Sequence, residues 1–301
     1  MTTRAFRQPP PATLPHLRRA LLDWHRRHAL RAPWRASGDP YHVLVAAVMA
    51  QQTQMSRVLP KYDEFLAAFP TIEALARATA SRVLRIWGPL GYNVRALRLH
   101  RAAKRIVREG GFPRTAAELE QIEGIGPFTA TIVSSFAFRE PAAAIDTNVR
   151  RVIARLGGNA DGAIAERALQ AAAERLLARR APGRWNQAVM DLGGAVCTAR
   201  APRCDACPLA RWCRARPKIA KRSPAGGRTR QSPFRRSTRY YRGRIIQALR
   251  ELPAGASLTP AALLARLPDR DGLDRAGLRS LIEALRRDGL LRIERGRVRL
   301  P

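Results

Sequence analysis

The sequence predicts an all-α fold of short helices, followed by a small helical module ending in a hairpin. Three observations support this. Apolar residues recur at helical spacing from residue 13 to 217. Pro and Gly punctuate the periodic segments, and strand patterns are almost absent until residue 290.

Leu14, Leu17, Leu21, Leu22 and Trp24 stripe a first amphipathic helix. Residues 42–55 are largely apolar, which predicts a second, buried helix. Segments 57–69, 71–78, 80–87, 94–109 and 116–121 follow, with Pro70, Gly88, Pro89, Gly110, Gly111 and Pro113 between them. No internal repeat of fixed period is present. Residues 13–217 thus read as one helical domain, and 218–242 as a basic linker. From Lys221 to Arg244 there are nine basic residues and no acidic one, a candidate phosphate-tracking arm. Residues 243–301 form the module. Ile245–Leu252 reads as a helix, and Thr259-Pro260 caps a second over 260–266. Asp274 caps a third to about Arg287, and Asp288-Gly289 stops it. Leu290–Ile293 and Val298–Leu300 alternate around a Glu294-Arg295-Gly296-Arg297 turn. This order resembles a winged helix, a fold that serves DNA contact or merely structure.

Lys+Arg is 55 against Asp+Glu 23, a formal charge of +32, and Lys supplies only four of the 55. Such a chain binds polyanions. Nucleic acid is the leading partner, because phosphate neutralisation releases counterions. An arginine-rich codon bias gives the same surplus, so charge supports nucleic-acid binding and nothing finer. The longest apolar run, Val43 to Ala50, is far short of the roughly 20 residues of a membrane span. The start, Met1 to Pro11, has no apolar signal region. The expectation is a cytoplasmic monomer with no membrane partner.

Cys197-x6-Cys204-x2-Cys207-x5-Cys213 crowds all four cysteines into 17 residues. A cytosolic setting disfavours disulfides, and four thiolates close around one metal centre. Spacing alone leaves a zinc ion and an iron–sulfur cluster equally open. With Met190-Asp191-Leu192-Gly193-Gly194 upstream and Pro208 after the third cysteine, the segment resembles the [4Fe–4S] loop of the endonuclease III and adenine glycosylase superfamily. The resemblance implies a cluster that shapes a basic loop (Arg200, Arg203, Arg211) for phosphate contact.

Ile122-Glu123-Gly124-Ile125-Gly126-Pro127-Phe128-Thr129-Ala130 precedes an apolar helix to about Phe138. Gly124 and Gly126 permit a tight turn between helices, and backbone N–H groups near Thr129 make an anion site for a DNA phosphate. A plain helix–turn–helix corner needs the same glycines. About twenty residues on, Asp146 opens Ile145-Asp146-Thr147-Asn148-Val149-Arg150-Arg151. Alone it reads as an ordinary N-cap. Beside this hairpin and the four-cysteine loop it resembles the aspartate of helix-hairpin-helix glycosylases, which stabilises the sugar cation as the base departs.

The resemblance extends across most of residues 20–217. Pro33-Trp34-Arg35, Gln51-Gln52-Thr53-Gln54, Trp87, Gly91-Tyr92, Arg95-Ala96, Leu99-His100 and Phe112-Pro113 fall in the order of the MutY-type adenine DNA glycosylases. It implies that Gln52, with Gln51 and Gln54 nearby, and Tyr92 enter the DNA stack beside a flipped base, offsetting the cost of unstacking. The residues themselves also fit a solvated helix end and a core aromatic.

Two departures from the family pattern matter. Four residues before Gln51, where the pattern has the glutamate that protonates adenine, stands Ala47. Losing such an acid costs around 10²–10⁴-fold in rate. His42, five residues earlier, lies off that helix face. Where bifunctional members have a lysine nucleophile stands Phe128, which forms no Schiff base. The module 243–301 is also not the NUDIX-like domain of many MutY-type proteins. The resemblance implies a helix-hairpin-helix DNA glycosylase with a [4Fe–4S] loop at 197–213. It would act in base-excision repair on double-stranded DNA containing a mispair or lesion, with Asp146 stabilising the sugar and no AP-lyase activity. Ala47 shifts the expected base to uracil, thymine or another deaminated base, which leaves as a delocalised anion. The alternatives are adenine excision from A:G or A:8-oxoG, a catalytically inactive lesion binder, and a colourless zinc transcription factor.

Overall fold

The computed structural model describes residues 7, 9–220, 234–268 and 272–301. Lys221, Arg222, Arg228 and Arg230 of the basic segment, and residues 1–6 and 8, lie outside the described residues. The chain opens with α1 (Leu14–His28), α2 (Trp34–Ser37) and α3 (Pro40–Ala50). Then come α4 (Met55–Ala68), α5 (Ile72–Arg77), α6 (Ala80–Trp87) and α7 (Val94–Arg108). The hairpin is flanked by α8 (Ala116–Glu120) and α9 (Pro127–Ala137). After it run α10 (Thr147–Leu156), α11 (Glu166–Leu176), α12 (Pro182–Ala195) and α13 (Arg216–Ala220). The last elements are α14 (Thr238–Arg250), α15 (Pro260–Arg266), α16 (Arg275–Arg287), β1 (Arg292–Glu294) and β2 (Arg297–Arg299). No helix among the described residues is long and apolar enough to cross a membrane.

Side-chain caps fix many starts. Thr71, Thr79, Thr115, Asp146, Ser237, Thr259 and Asp274 each accept a bond from a first-turn N–H, worth typically about 1 kcal/mol apiece. Thr115 and Glu118 complete a reciprocal capping box.

The chain forms two compact units: Met1–Ala47, Pro113–Gln121 and Ile125–Gly226 in one, Val48–Phe112, Ile122–Gly124 and Gly227–Pro301 in the other. In the first, α12 is the hub and packs against α1, α9 and α10. Its Trp185, Val189 and Leu192 meet Leu17 and Leu21 of α1, Val152 and Ile153 of α10, and Leu169 and Leu176 of α11.

In the second unit, Phe65, Phe69 and Trp87 are fully buried and pack edge to face or tilted. α7 lies against α5 and α6. The C-terminal segment has its own apolar centre, with Ile245, Leu249, Leu263, Leu278, Ile282, Leu285 and Val298 buried. β1 and β2 pair antiparallel, and Leu258 exchanges backbone bonds with Val298 as a third short rung. Helix, helix, helix and hairpin is the order of a winged helix.

Three elements differ from the sequence reading. The apolar segment 42–55 is not one helix, because α3 ends at Ala50 and Gln52 adopts a left-handed φ of 53°. α14 starts at Thr238, seven residues before Ile245, since Tyr240 and Tyr241 bury an apolar face inside the basic run. The hairpin turn is only Arg295-Gly296, both at positive φ as a two-residue turn demands.

Candidate functional site

The hairpin turn is built on Gly124, with φ 91°. A Cβ there would meet Arg98 Cβ at 2.7 Å, so conformation and close approach both require glycine. Gly126 is the N-cap of α9 and has open space around it, and Pro127 takes the first helical position. No side chain caps this helix start, and first-turn N–H groups left uncapped are the kind of donors that bind anions. Thr129, the third residue of α9, is buried as a whole at 2% exposure, so the structure does not present it to a phosphate as the sequence reading expects.

Asp146 is the N-cap of α10, as the simplest reading of the sequence has it, and both its oxygens are engaged. Oδ1 accepts from Val149 N at 2.7 Å, and Oδ2 accepts from Asn148 Nδ2 at 3.1 Å. The segment leading to it is held by buried Asn186, which accepts from Ala144 N at 3.1 Å and donates to the Ala142 carbonyl at 3.0 Å. Asn148 Oδ1 in turn accepts from Arg151 Nη2 at 2.7 Å. The same guanidinium donates to the carbonyls of Gly193 and Cys197, each at 2.8 Å. Hydrogen bonds therefore run unbroken from the cysteine loop to Asp146.

Cys197, Cys204, Cys207 and Cys213 line one cavity, with Arg203 and Arg216 at its edge. Burial pushes the Cys207 thiol up to about 11 and raises the Cys204 and Cys213 thiols as well. Arg155 Nη1 lies 3.4 Å from Cys197 Sγ and also donates to the Thr198 carbonyl at 2.7 Å, placing positive charge beside the sulfur. Among the described residues no group of three Cys, His, Asp or Glu converges on the point a single metal ion would occupy. Four cysteines lining one cavity are the donor set that a [4Fe–4S] cluster takes. Arg200, Arg203 and Arg211 of this loop are exposed.

The second unit carries the other candidates. Tyr92 is 51% exposed at φ 46°, which excludes the core-aromatic reading. Gln52 and Gln54 are exposed and Gln51 is half-buried, in the turn between α3 and α4. Gln52 and Tyr92 thus share a strained left-handed backbone, a state that persists only where surroundings impose it. Arg95 imposes it on both. Its Nη1 donates to the carbonyls of Val48 (2.9 Å), Met49 (3.1 Å) and Gln51, ending α3. Its Nη2 reaches Thr53 Oγ1 at 3.1 Å and the Gly91 carbonyl at 3.4 Å, and its plane lies 5.3 Å from the Tyr92 ring centre. Burial lowers the Arg95 pKa to about 10, so the group stays charged at neutral pH. The sequence offered Arg95 only as part of a pattern, because the carbonyls it satisfies lie more than 40 residues away.

Ala47 is half-buried on α3, one turn before Gln51, and carries no acid. Phe128, second in α9, carries no amine.

Residues 45–179 match the model of the HhH-GPD superfamily of base excision DNA repair proteins, and residues 197–213 match the iron–sulfur binding domain of endonuclease III. The adenine DNA glycosylase of Mycobacterium tuberculosis is 40% identical over 291 residues, 93% of this chain and 92% of that protein. The chain belongs to the adenine DNA glycosylase family. This glycosylase is also 36% identical over 216 residues to the human adenine DNA glycosylase, covering 67% of this chain and 40% of the human protein. A solved thermostable thymine-DNA glycosylase superposes with TM-score 0.64 at 26% identity, covering 69% of this chain and 98% of that one. An endonuclease III in non-covalent complex with DNA gives TM-score 0.61 at 21% identity, covering 71% of this chain and 100% of that one, a likeness of fold alone. The glycosylase is therefore a DNA-binding hydrolase of N-glycosidic bonds with a [4Fe–4S] cluster as its cofactor. The four cysteines are the residues that would hold it, in the loop that Arg151 ties to Asn148.

Proposed function

We propose that this glycosylase removes a mispaired or deaminated pyrimidine, uracil or thymine, from duplex DNA by monofunctional hydrolysis, acting as a monomer. The observation that carries the proposal is Ala47, where the family resemblance places a protonating glutamate. Adenine is a poor leaving group without a proton, whereas a pyrimidine departs as a delocalised anion. One carboxylate then suffices. Asp146, oriented by Val149 N and Asn148 Nδ2, faces the sugar as positive charge develops. Water adds at the anomeric carbon as the base takes the bonding pair. With Phe128 in place of an amine, no covalent enzyme–sugar adduct forms and no strand cleavage follows. Gln52 and Tyr92 fill the stack vacated by the flipped nucleotide.

Adenine excision opposite guanine or 8-oxoguanine is the second reading, favoured by 40% identity to a protein named for that base. The likeness to a thymine-DNA glycosylase favours the first. Single-turnover base release on A:8-oxoG, A:G, T:G, U:G and hypoxanthine duplexes, with and without alkali and beside Asp146→Asn, decides between them. The expected result is alkali-dependent cutting of U:G or T:G, absent in Asp146→Asn. Cutting of A:8-oxoG instead would establish adenine excision by an acid other than residue 47. No cutting of any duplex by the wild type, with binding intact, would make the protein a lesion binder.

A further inference from the structure

The loop Gly88–Asn93, which presents Tyr92, is held on several sides. Arg57 of α4 donates to the Pro89 carbonyl. Trp87 Nε1 and Arg95 Nη2 donate to the Gly91 carbonyl. A further hold comes from a residue about 160 positions along the chain. Arg250, last in α14, donates through Nη1 to the Gly88 carbonyl at 2.5 Å and through Nη2 to Asn93 Oδ1. Arg85 of α6 grips the end of α14 in return, donating to the carbonyls of Arg250, Leu252 (2.6 Å) and Pro253 (3.3 Å). The two arginines form a reciprocal latch between the C-terminal segment and the Tyr92 loop.

Arg250 has no carboxylate partner among the described residues, and burial lowers its pKa to about 10. A buried cation held only by neutral acceptors is unfavourable by itself, so it adds little to stability. Its forked geometry, however, pins both ends of a five-peptide loop at once. Pinning matters here because Tyr92 itself lies at a left-handed φ of 46° between freely turning Gly88 and Gly91, and a strained residue released by its surroundings relaxes.

We propose that the C-terminal segment is a buttress for the lesion-probing loop, with Arg250 as a positioning residue that sets the pose in which Tyr92 enters the DNA stack. This rests on the reading of Tyr92 as the stacking residue given above. The mode of action is preorganisation. Arg250 acts through the loop, so discrimination of a lesion depends on it while general affinity for duplex does not.

The test uses the full-length, cluster-loaded protein as wild type, Arg250→Ala, Tyr92→Ala and the double variant. The probes are a duplex with a tetrahydrofuran abasic-site analogue opposite guanine and 2-aminopurine beside it, and the matched undamaged duplex. Arg250→Ala is expected to lower the preference for the abasic duplex about tenfold and to reduce the 2-aminopurine fluorescence rise in parallel, with undamaged-duplex affinity changed less than about twofold. The double variant should be no worse than Tyr92→Ala, because both changes remove one function. Arg250→Lys, which keeps a donor for Gly88, should regain part of the loss. If Arg250→Ala folds poorly by thermal melting, Asn93→Ala cuts the same latch from the other side and is expected to show the same pattern at smaller amplitude. Wild-type discrimination in the Arg250 and Asn93 variants, with Tyr92→Ala impaired, overturns the buttress and spares the role of Tyr92. Losses that add in the double variant also overturn it. An unimpaired Tyr92→Ala brings down both.

Discussion

Asn148 is shared between Asp146 and Arg151: its Nδ2 donates to the Asp146 carboxylate at 3.1 Å, and its Oδ1 accepts from the Arg151 guanidinium at 2.7 Å. Because Arg151 also donates to the Cys197 carbonyl at 2.8 Å, the four-cysteine loop and the Asp146 carboxylate, proposed above to act on the sugar, are parts of one polar network. In such a network the loss of one member leaves its neighbours unpaired and costs more than its own bonds.

Arg151→Met keeps the unbranched stem of the side chain and removes all its donors. The three close acceptors, Asn148 Oδ1 and the carbonyls of Gly193 and Cys197, then lose a charged partner, each worth roughly 1.5–3 kcal/mol, and the longer bond to the Thr147 carbonyl goes with them. The expected outcome is a single-turnover base-release rate lower by about 10–100-fold, with duplex affinity within a few-fold of wild type. A rate within twofold of wild type would mean that Asp146 is held without help from the cysteine loop.

Ala47→Glu restores the acid that the family resemblance expects. Position 47 is only half-buried, so a longer side chain has somewhere to go. Adenine release from A:8-oxoG should rise about 10²-fold or more, while release of uracil or thymine changes little. If wild type already removes adenine and the substitution adds nothing, proton donation comes from elsewhere and the pyrimidine proposal fails.

The helices were legible because their signals are local. Thr259-Pro260 and Asp274 predicted the starts of α15 and α16, and the structure places both caps there. The end of α3 was not legible. Nothing between Val43 and Gln54 breaks a helix by composition, and the break comes from Arg95, a long-range partner. The N-terminal half of α14 was hidden for a related reason: basic residues dominate 235–244, but Tyr240 and Tyr241 decide its fold by burying. At the candidate site, the candidate residues Asp146, Tyr92 and the cysteines were visible. The arginines that position them, 95, 151 and 250, were not, because in a chain this rich in arginine nothing local marks a buried one. A Gly-Gly pair before the cysteines was visible too, but not which of the two is packed.

Asp191 makes stability depend on acid pH. Burial alone would raise its pKa, but Arg35 donates to both oxygens (2.6 and 2.7 Å), and with His25 Nε2 at 3.3 Å holds it at about 2. The unfolded value is about 3.9, so the charged form is favoured by folding, by roughly 2 kcal/mol. A depressed carboxyl pKa contributes stability above about pH 4, and that contribution is lost as pH falls toward 2. Asp191→Asn is therefore expected to be less stable than wild type at pH 7 in urea unfolding, with the gap closing between pH 4 and 2. Comparing the two proteins cancels the acid sensitivity of the iron–sulfur loop. An equal gap at pH 7 and pH 2.5 would show that Asp191 matters through packing instead of charge.

Gly193 and Gly194 are adjacent in α12, yet alanine is expected to act in opposite directions at the two. A Cβ on Gly194 meets nothing within 4 Å, so Gly194→Ala gains helix propensity and stabilises by up to about 1 kcal/mol. A Cβ on Gly193 would lie 2.7 Å from Asn148 Cβ and 3.1 Å from the Asn148 carbonyl oxygen. Neither atom is the end of a flexible side chain, so α12 must back away from α10. Overpacking of this kind costs typically about 1–3 kcal/mol, which outweighs the propensity gain. The displaced residue is the one that donates to Asp146, so Gly193→Ala should also slow base release by about tenfold, beyond any loss of folded protein. Thermal melting and single-turnover rates on the same two variants check both halves. Equal behaviour of the two would mean that the close seat of α12 on α10 is not what holds Asn148 against Asp146.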